Sequence, residues 1–124
     1  MKNADRYIHY LGHVSIETCP TLYEKSNFVF LPTLLESFSA TYAEAMKMGK
    51  VLITSDLPFA RGICEDAAIY VDPLNPKDIA DKILELVKYP EKYAIYINAG
   101  FSRLKHFNNA QSRAAKYIEF IENL

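Results

Sequence analysis

Two apolar runs, Phe28-Val29-Phe30-Leu31 and Val51-Leu52-Ile53, contain no polar residue at alternate positions. A strand with one wet face alternates with a period of two, whereas a strand covered on both faces is apolar throughout. Such runs need cover on both sides, and the intervening segments are patterned to supply it. Strands are expected at Tyr7–Leu11, Phe28–Leu31, Val51–Thr54 and Ala68–Val71. A first helix is expected from Pro20, a residue suited to an opening turn, to about Ser26. A second spans Ala40 to Met48 and stops at Gly49, a natural C-cap. A third opens at Asn75-Pro76-Lys77-Asp78, with Asn as N-cap and an acid in the first turn. Its residues Ile79, Ile83, Leu86 and Val87 keep the helical period until Pro90 interrupts. Two more helices are expected, at about Glu91–Lys105 and Asn109–Glu122, the last with Ala110, Ala114, Tyr117, Ile118 and Ile121 on one stripe.

Strands alternating with helices predict an α/β fold: a doubly wound, Rossmann-like parallel sheet with flanking helices. With 124 residues, half of them hydrophobic, the chain suits a single domain, 1–124. In sheets of this kind ligands bind outside the carboxyl ends of the strands, so the residues after each strand matter most.

After Leu31 the chain reads Pro32-Thr33-Leu34-Leu35-Glu36-Ser37-Phe38-Ser39-Ala40-Thr41-Tyr42-Ala43-Glu44. Glu36 falls in the loop at the ligand edge. The backbone N–H groups around Phe38, Ser39, Ala40 and Thr41 begin a helix and are free to hold an anion such as a diphosphate. Glu44 lies about one turn further, roughly 6 Å along the axis from Ala40. The two carboxylates can accept from hydroxyls on either side of the phosphates. A Glu-x7-Glu pair alone also describes two solvated surface acids, and the neighbouring stretches decide between these readings. Gly49-Lys50-Val51-Leu52-Ile53-Thr54-Ser55-Asp56 ends a strand in small polar residues at the same edge, and Asp66-Ala67-Ala68-Ile69-Tyr70-Val71-Asp72-Pro73 follows.

This ordered set resembles the group 1 glycosyltransferases (family 4), enzymes of the two-domain GT-B fold. The likeness also takes in Leu11-Gly12-His13-Val14 and Leu22-Tyr23, and so covers nearly the whole chain. The resemblance implies retaining transfer of a sugar from a nucleotide diphosphate sugar to a glycan or lipid-linked acceptor. It implies no metal and no cofactor beyond that donor. Glu36 would be the catalytic-site acid that contacts the donor sugar hydroxyls. The backbone at Phe38, Ser39 and Ala40 would hold the diphosphate, and Glu44 would bind the ribose hydroxyls. These contacts position charge as the sugar–phosphate bond breaks, so the acid/base pair of a glycosidase is not the reading.

Four positions depart from the family pattern. Ser39 and Val51 replace a usual Gly and a frequent Pro. Gly62 and Glu65 stand where Glu and Gly are usual, which leaves the local structure there open. The resemblance further implies that an N-terminal acceptor domain and the start of the donor domain are missing, along with the basic residues that neutralise the diphosphate. Lys2 and Arg6 are poor substitutes. The isolated chain is then expected to transfer no sugar, and a catalytically inactive nucleotide-binding module acting with a partner chain is the alternative.

Other function classes are less well supported. The 14 basic and 15 acidic residues are interleaved, without the basic block of a nucleic-acid binder. No apolar run is long enough for a transmembrane segment, and the polar stretch 1–6 does not read as a signal peptide. Cys19 and Cys64 read as free thiols and the protein as cytoplasmic, with peripheral attachment to the inner membrane face only through the missing part. His9, His13 and His106 show no ligand spacing, although His13 could line the cleft. Cys64 reads as a buried small residue rather than a nucleophile. Phe59 and Arg61 are expected in a loop at the ligand edge, with surface packing at least as good a reading as base or sugar contact.

Overall fold

A computed structural model describes residues 6–124. Three strands, β1 (Phe28–Leu31), β2 (Val51–Ser55) and β3 (Ala68–Val71), form one parallel sheet in that order. Phe28 pairs with Val51, and Leu52 with Ala68. The helices are α1 (Cys19–Lys25), α2 (Ala40–Lys47), α3 (Pro58–Cys64), α4 (Pro76–Lys88), α5 (Tyr93–Leu104) and α6 (Ala110–Glu122).

The non-alternating strand does what its composition requires. Every residue of β2 is buried. Leu52 faces Tyr42, Ala45 and Met46 of α2 and Ala60 and Cys64 of α3. Val51 and Ile53 face the opposite layer with Ile69, Val71 and Leu86 of α4. Helix α5 closes the side of this sandwich, and Gly100 allows its approach: a Cβ there would meet Met46 Cγ at 3.2 Å. At the end of α2, Gly49 takes a left-handed φ of 61° beyond the Met48 C-cap, as the stop signal predicts.

Two expectations fail. The segment Tyr7–Leu11 forms no strand, so the described sheet has three strands rather than at least four. Its apolar side chains are exposed, and it forms no ladder with β1 or any other described strand. A pattern of apolar residues becomes a strand only where a neighbour takes its N–H and C=O groups and a layer covers its face. Phe59 and Arg61, expected in a loop, lie in α3. Pro58 opens the helix after an extended Leu57, and Ala60 and Cys64 anchor it in the core.

Candidate functional site

Thr54 and Ser55 at the end of β2 set the position of the loop that leaves β1. Both are fully buried. Thr54 Oγ1 donates to the Leu31 carbonyl at 2.9 Å, and Ser55 Oγ donates to the Thr33 carbonyl at 2.6 Å. The Tyr42 hydroxyl lies 3.2 Å from Thr54 Oγ1 and links the same point to α2. The small polar residues at this strand end therefore hold the backbone beneath the site. Neither side chain is exposed at the edge of the sheet.

The loop they hold, residues 32–39, carries Glu36, Phe38 and Ser39 into the N-terminus of α2, and Glu36 is half-buried. Ser39 is the N-cap residue, with φ −95° and ψ 120°, and its side chain makes no capping bond. Its conformation is ordinary extended backbone, so a Cβ is accommodated where the resemblance led us to expect glycine. Without a side-chain cap, the Ala40 and Thr41 N–H groups at the start of α2 can meet an anion, while the Tyr42 N–H is taken by the Ser39 carbonyl. Phe38 packs edge-on against Phe107, with ring centroids 6.1 Å apart, which ties the loop to the end of α5.

Glu44 sits in the second turn of α2 and is exposed. It borders a largely apolar cleft of about 320 Å³ between α1 and α2, lined also by Ile16, Cys19, Pro20, Tyr23 and Met48. The Tyr23 hydroxyl donates to Glu44 Oε2 at 2.7 Å. Burial, reinforced by the hydrogen bond and charge of Glu44, holds the Tyr23 phenol well above its ordinary pKa. Sequence reasoning passed over this contact. The two residues stand 21 apart, and no local pattern marks a tyrosine on one helix as the partner of an acid on another.

The five predicted residues thus lie along one loop and the opening turns of one helix, at the carboxyl edge of the sheet. The other candidates do not join them. Arg61 pairs with Asp56 and stacks 4.3 Å over the Tyr70 ring, and that hydrogen bond and charge hold the Asp56 carboxyl below its usual range. Phe59 packs against the core. Cys64 is buried, and burial pushes its thiol up to about 12, which removes the thiolate needed of a nucleophile. His9, His13 and His106 are exposed. Arg6 lies beside the Tyr7 ring, and Lys2 falls outside the described residues. Among the described residues no three His, Cys, Asp or Glu side chains group as metal ligands, and no helix is long and apolar enough to cross a membrane.

The swapped pair has a structural consequence. Glu65 has φ 48° and ψ −122°, a conformation natural to glycine. Arg103 of α5 steadies the turn: its guanidinium donates to the Ile63 and Gly62 carbonyls and lies 3.0 Å from Glu65 Oε1.

Comparison with known proteins bears on the family and the fold. Residues 2–103 match the family described as Glycosyl transferases group 1. The chain is 28% identical over 102 residues to the O-antigen chain mannosyltransferase B of Escherichia coli, covering 82% of this chain and 27% of that protein. It is 26% identical over 91 residues to the O-antigen chain mannosyltransferase RfbU of Salmonella typhimurium, covering 73% and 26% respectively. The chain thus spans about a quarter of the length of these curated relatives. The structure is similar to sucrose-phosphate synthase from Thermosynechococcus elongatus, with a TM-score of 0.84 and 20% identity over 98% of this chain and 31% of that one. At that identity the likeness speaks for the fold alone, the parallel α/β arrangement expected of a GT-B glycosyltransferase.

Proposed function

We propose, since the chain belongs to the group 1 glycosyl transferases, that it is the donor-binding part of a retaining enzyme that moves a sugar from a nucleotide diphosphate sugar to a glycan or lipid-linked acceptor. The observation that carries this reading is the uncapped N-terminus of α2, flanked by Glu36 before it and Glu44 one turn into it. On this reading the N–H groups at Phe38, Ser39 and Ala40 receive the diphosphate. Glu44 accepts from the ribose hydroxyls, and the cleft between α1 and α2 has room for the nucleoside beside it. Glu36 accepts from the sugar hydroxyls. These contacts hold the donor so that the dipole of α2 stabilises charge developing on the leaving diphosphate. The acceptor binds to a separate N-terminal domain, and the O-antigen enzymes among the relatives support a role in building a surface polysaccharide, with this part in the cytoplasm.

Titrations followed by NMR test the assignment. This cleft is open, so a nucleoside diphosphate should bind weakly; a millimolar constant corresponds to about 4 kcal/mol. Losing a charge-assisted hydrogen bond removes about 1.5–3 kcal/mol. Glu44→Ala should therefore abolish detectable binding of uridine or guanosine diphosphate. Glu36→Ala should leave the bare nucleotide unaffected and weaken only the sugar-bearing form. Parent-like binding by Glu44→Ala would sink the ribose assignment.

A further inference from the structure

We propose that Tyr23 is a positioning residue for the donor nucleotide: its hydroxyl holds one oxygen of the Glu44 carboxylate, leaving the other presented to the ribose. The inference rests on the ribose role given to Glu44 above and adds a residue to it. The two side chains come from different helices, α1 and α2, and meet at 2.7 Å, the short distance of a hydroxyl donating to a carboxylate. Glu44 is exposed and lies on a helix surface, where a glutamate otherwise samples several rotamers. Tyr23 is half-buried against the core cluster, so its ring is fixed before any ligand arrives. Its phenol is held protonated, and it therefore donates to the carboxylate across the neutral range. A fixed donor on one carboxylate oxygen removes rotamer freedom that ligand binding would otherwise have to remove. Both residues line the same cleft, so the ordered carboxylate borders the space where a nucleoside would sit.

Tyr23→Phe keeps the packed ring and deletes only the donor, which separates positioning from folding. In the free chain, side-chain couplings of Glu44 should report one dominant rotamer in the parent and an averaged set in Tyr23→Phe. This readout needs no nucleotide. With nucleotide, the parent should bind uridine diphosphate more tightly than its 2′-deoxy form. Tyr23→Phe should weaken the ribose form about three- to tenfold, the scale of immobilising one side chain on binding, and should leave the deoxy form nearly unchanged, so the preference shrinks. An unchanged Glu44 rotamer or an undiminished ribose preference in Tyr23→Phe overturns the positioning role while leaving the function reading intact. A parent with no ribose preference, or Glu44→Ala binding as the parent does, overturns the ribose role itself and the inference with it.

Discussion

Helices α4 and α6 are each 13 residues long, and each starts on an asparagine whose side chain accepts from backbone N–H groups. Asn75 accepts from Lys77 and Asp78, and Asn109 from Ser112. Each carries an apolar stripe at helical spacing. The stripe of α4 reaches the sheet: Ile79 and Ile83 pack on the cluster of Val51, Ile53, Ile69 and Val71, and Leu86 is 3% exposed. The stripe of α6 buries none of its residues, and Tyr117, Ile118 and Ile121 remain 65%, 57% and 66% exposed. Caps and periodicity act within one helix and suffice to start it and set its faces. Burial needs a second surface within reach, and a helix of this length is marginal in water without one.

The largest effect that would separate the two helices comes from truncating one residue in each stripe. Leu86→Ala should lower the stability of the chain by about 2–5 kcal/mol, the range for emptying a buried leucine site. Ile121→Ala should change it by no more than about 0.5 kcal/mol, as expected for an exposed position. Urea unfolding followed by circular dichroism measures both. Similar losses at the two sites would break the comparison and mean that α6 docks on the body in solution.

The same contrast explains what the sequence made legible. The strands β1 to β3, the Asn75 cap and the Gly49 stop were readable because each signal is local: a run, a cap, a residue tolerant of positive φ. The segment Tyr7–Leu11 misled because its apolar residues resemble a strand locally, while a strand exists only through its neighbour. Phe59 and Arg61 misled in the opposite direction, since they were expected in a loop while packing of Ala60 and Cys64 makes a helix. In the site, the order of Glu36, Phe38, Ser39, Ala40 and Glu44 along loop and helix was legible. The buried tasks of Thr54 and Ser55 and the Tyr23–Glu44 bond were not, because they join residues 21 to 23 positions apart.

A smaller effect is expected where α3 ends. Glu65 holds a left-handed conformation of a kind that costs a non-glycine residue about 1–3 kcal/mol. Its pairing with Arg103 is largely exposed on the glutamate side and returns at most about 1 kcal/mol. Glu65→Gly should therefore stabilise the chain by about 1 kcal/mol. Gly62→Ala should add about 0.5–1 kcal/mol, since a Cβ there meets nothing within 4 Å. Both gains should appear in the global urea midpoint, because α3 belongs to the same core as the sheet and unfolds with it. A loss in either variant would show that the Arg103 bonds to this turn depend on the residues removed.

The smallest effect on global stability, and the finest test of the comparison, comes from the two caps. Removing an asparagine N-cap costs about 1 kcal/mol of helix stability wherever it is. What differs is whether the rest of the fold registers it. Helix α4 is bound to the sheet through Leu86, so Asn75→Ala should lower the urea midpoint of the whole chain. Helix α6 has no buried residue, so the cost of Asn109→Ala should remain within α6 and leave the midpoint unchanged. Backbone carbon shifts and amide exchange at Ala110 to Arg113 should then report fraying of the first turn that the unfolding curve does not detect. A midpoint shift for Asn109→Ala as large as that for Asn75→Ala would show that α6 is thermodynamically coupled to the body despite its exposed stripe. Fraying without a shift would show that this helix depends on its local sequence alone until a surface is brought to it.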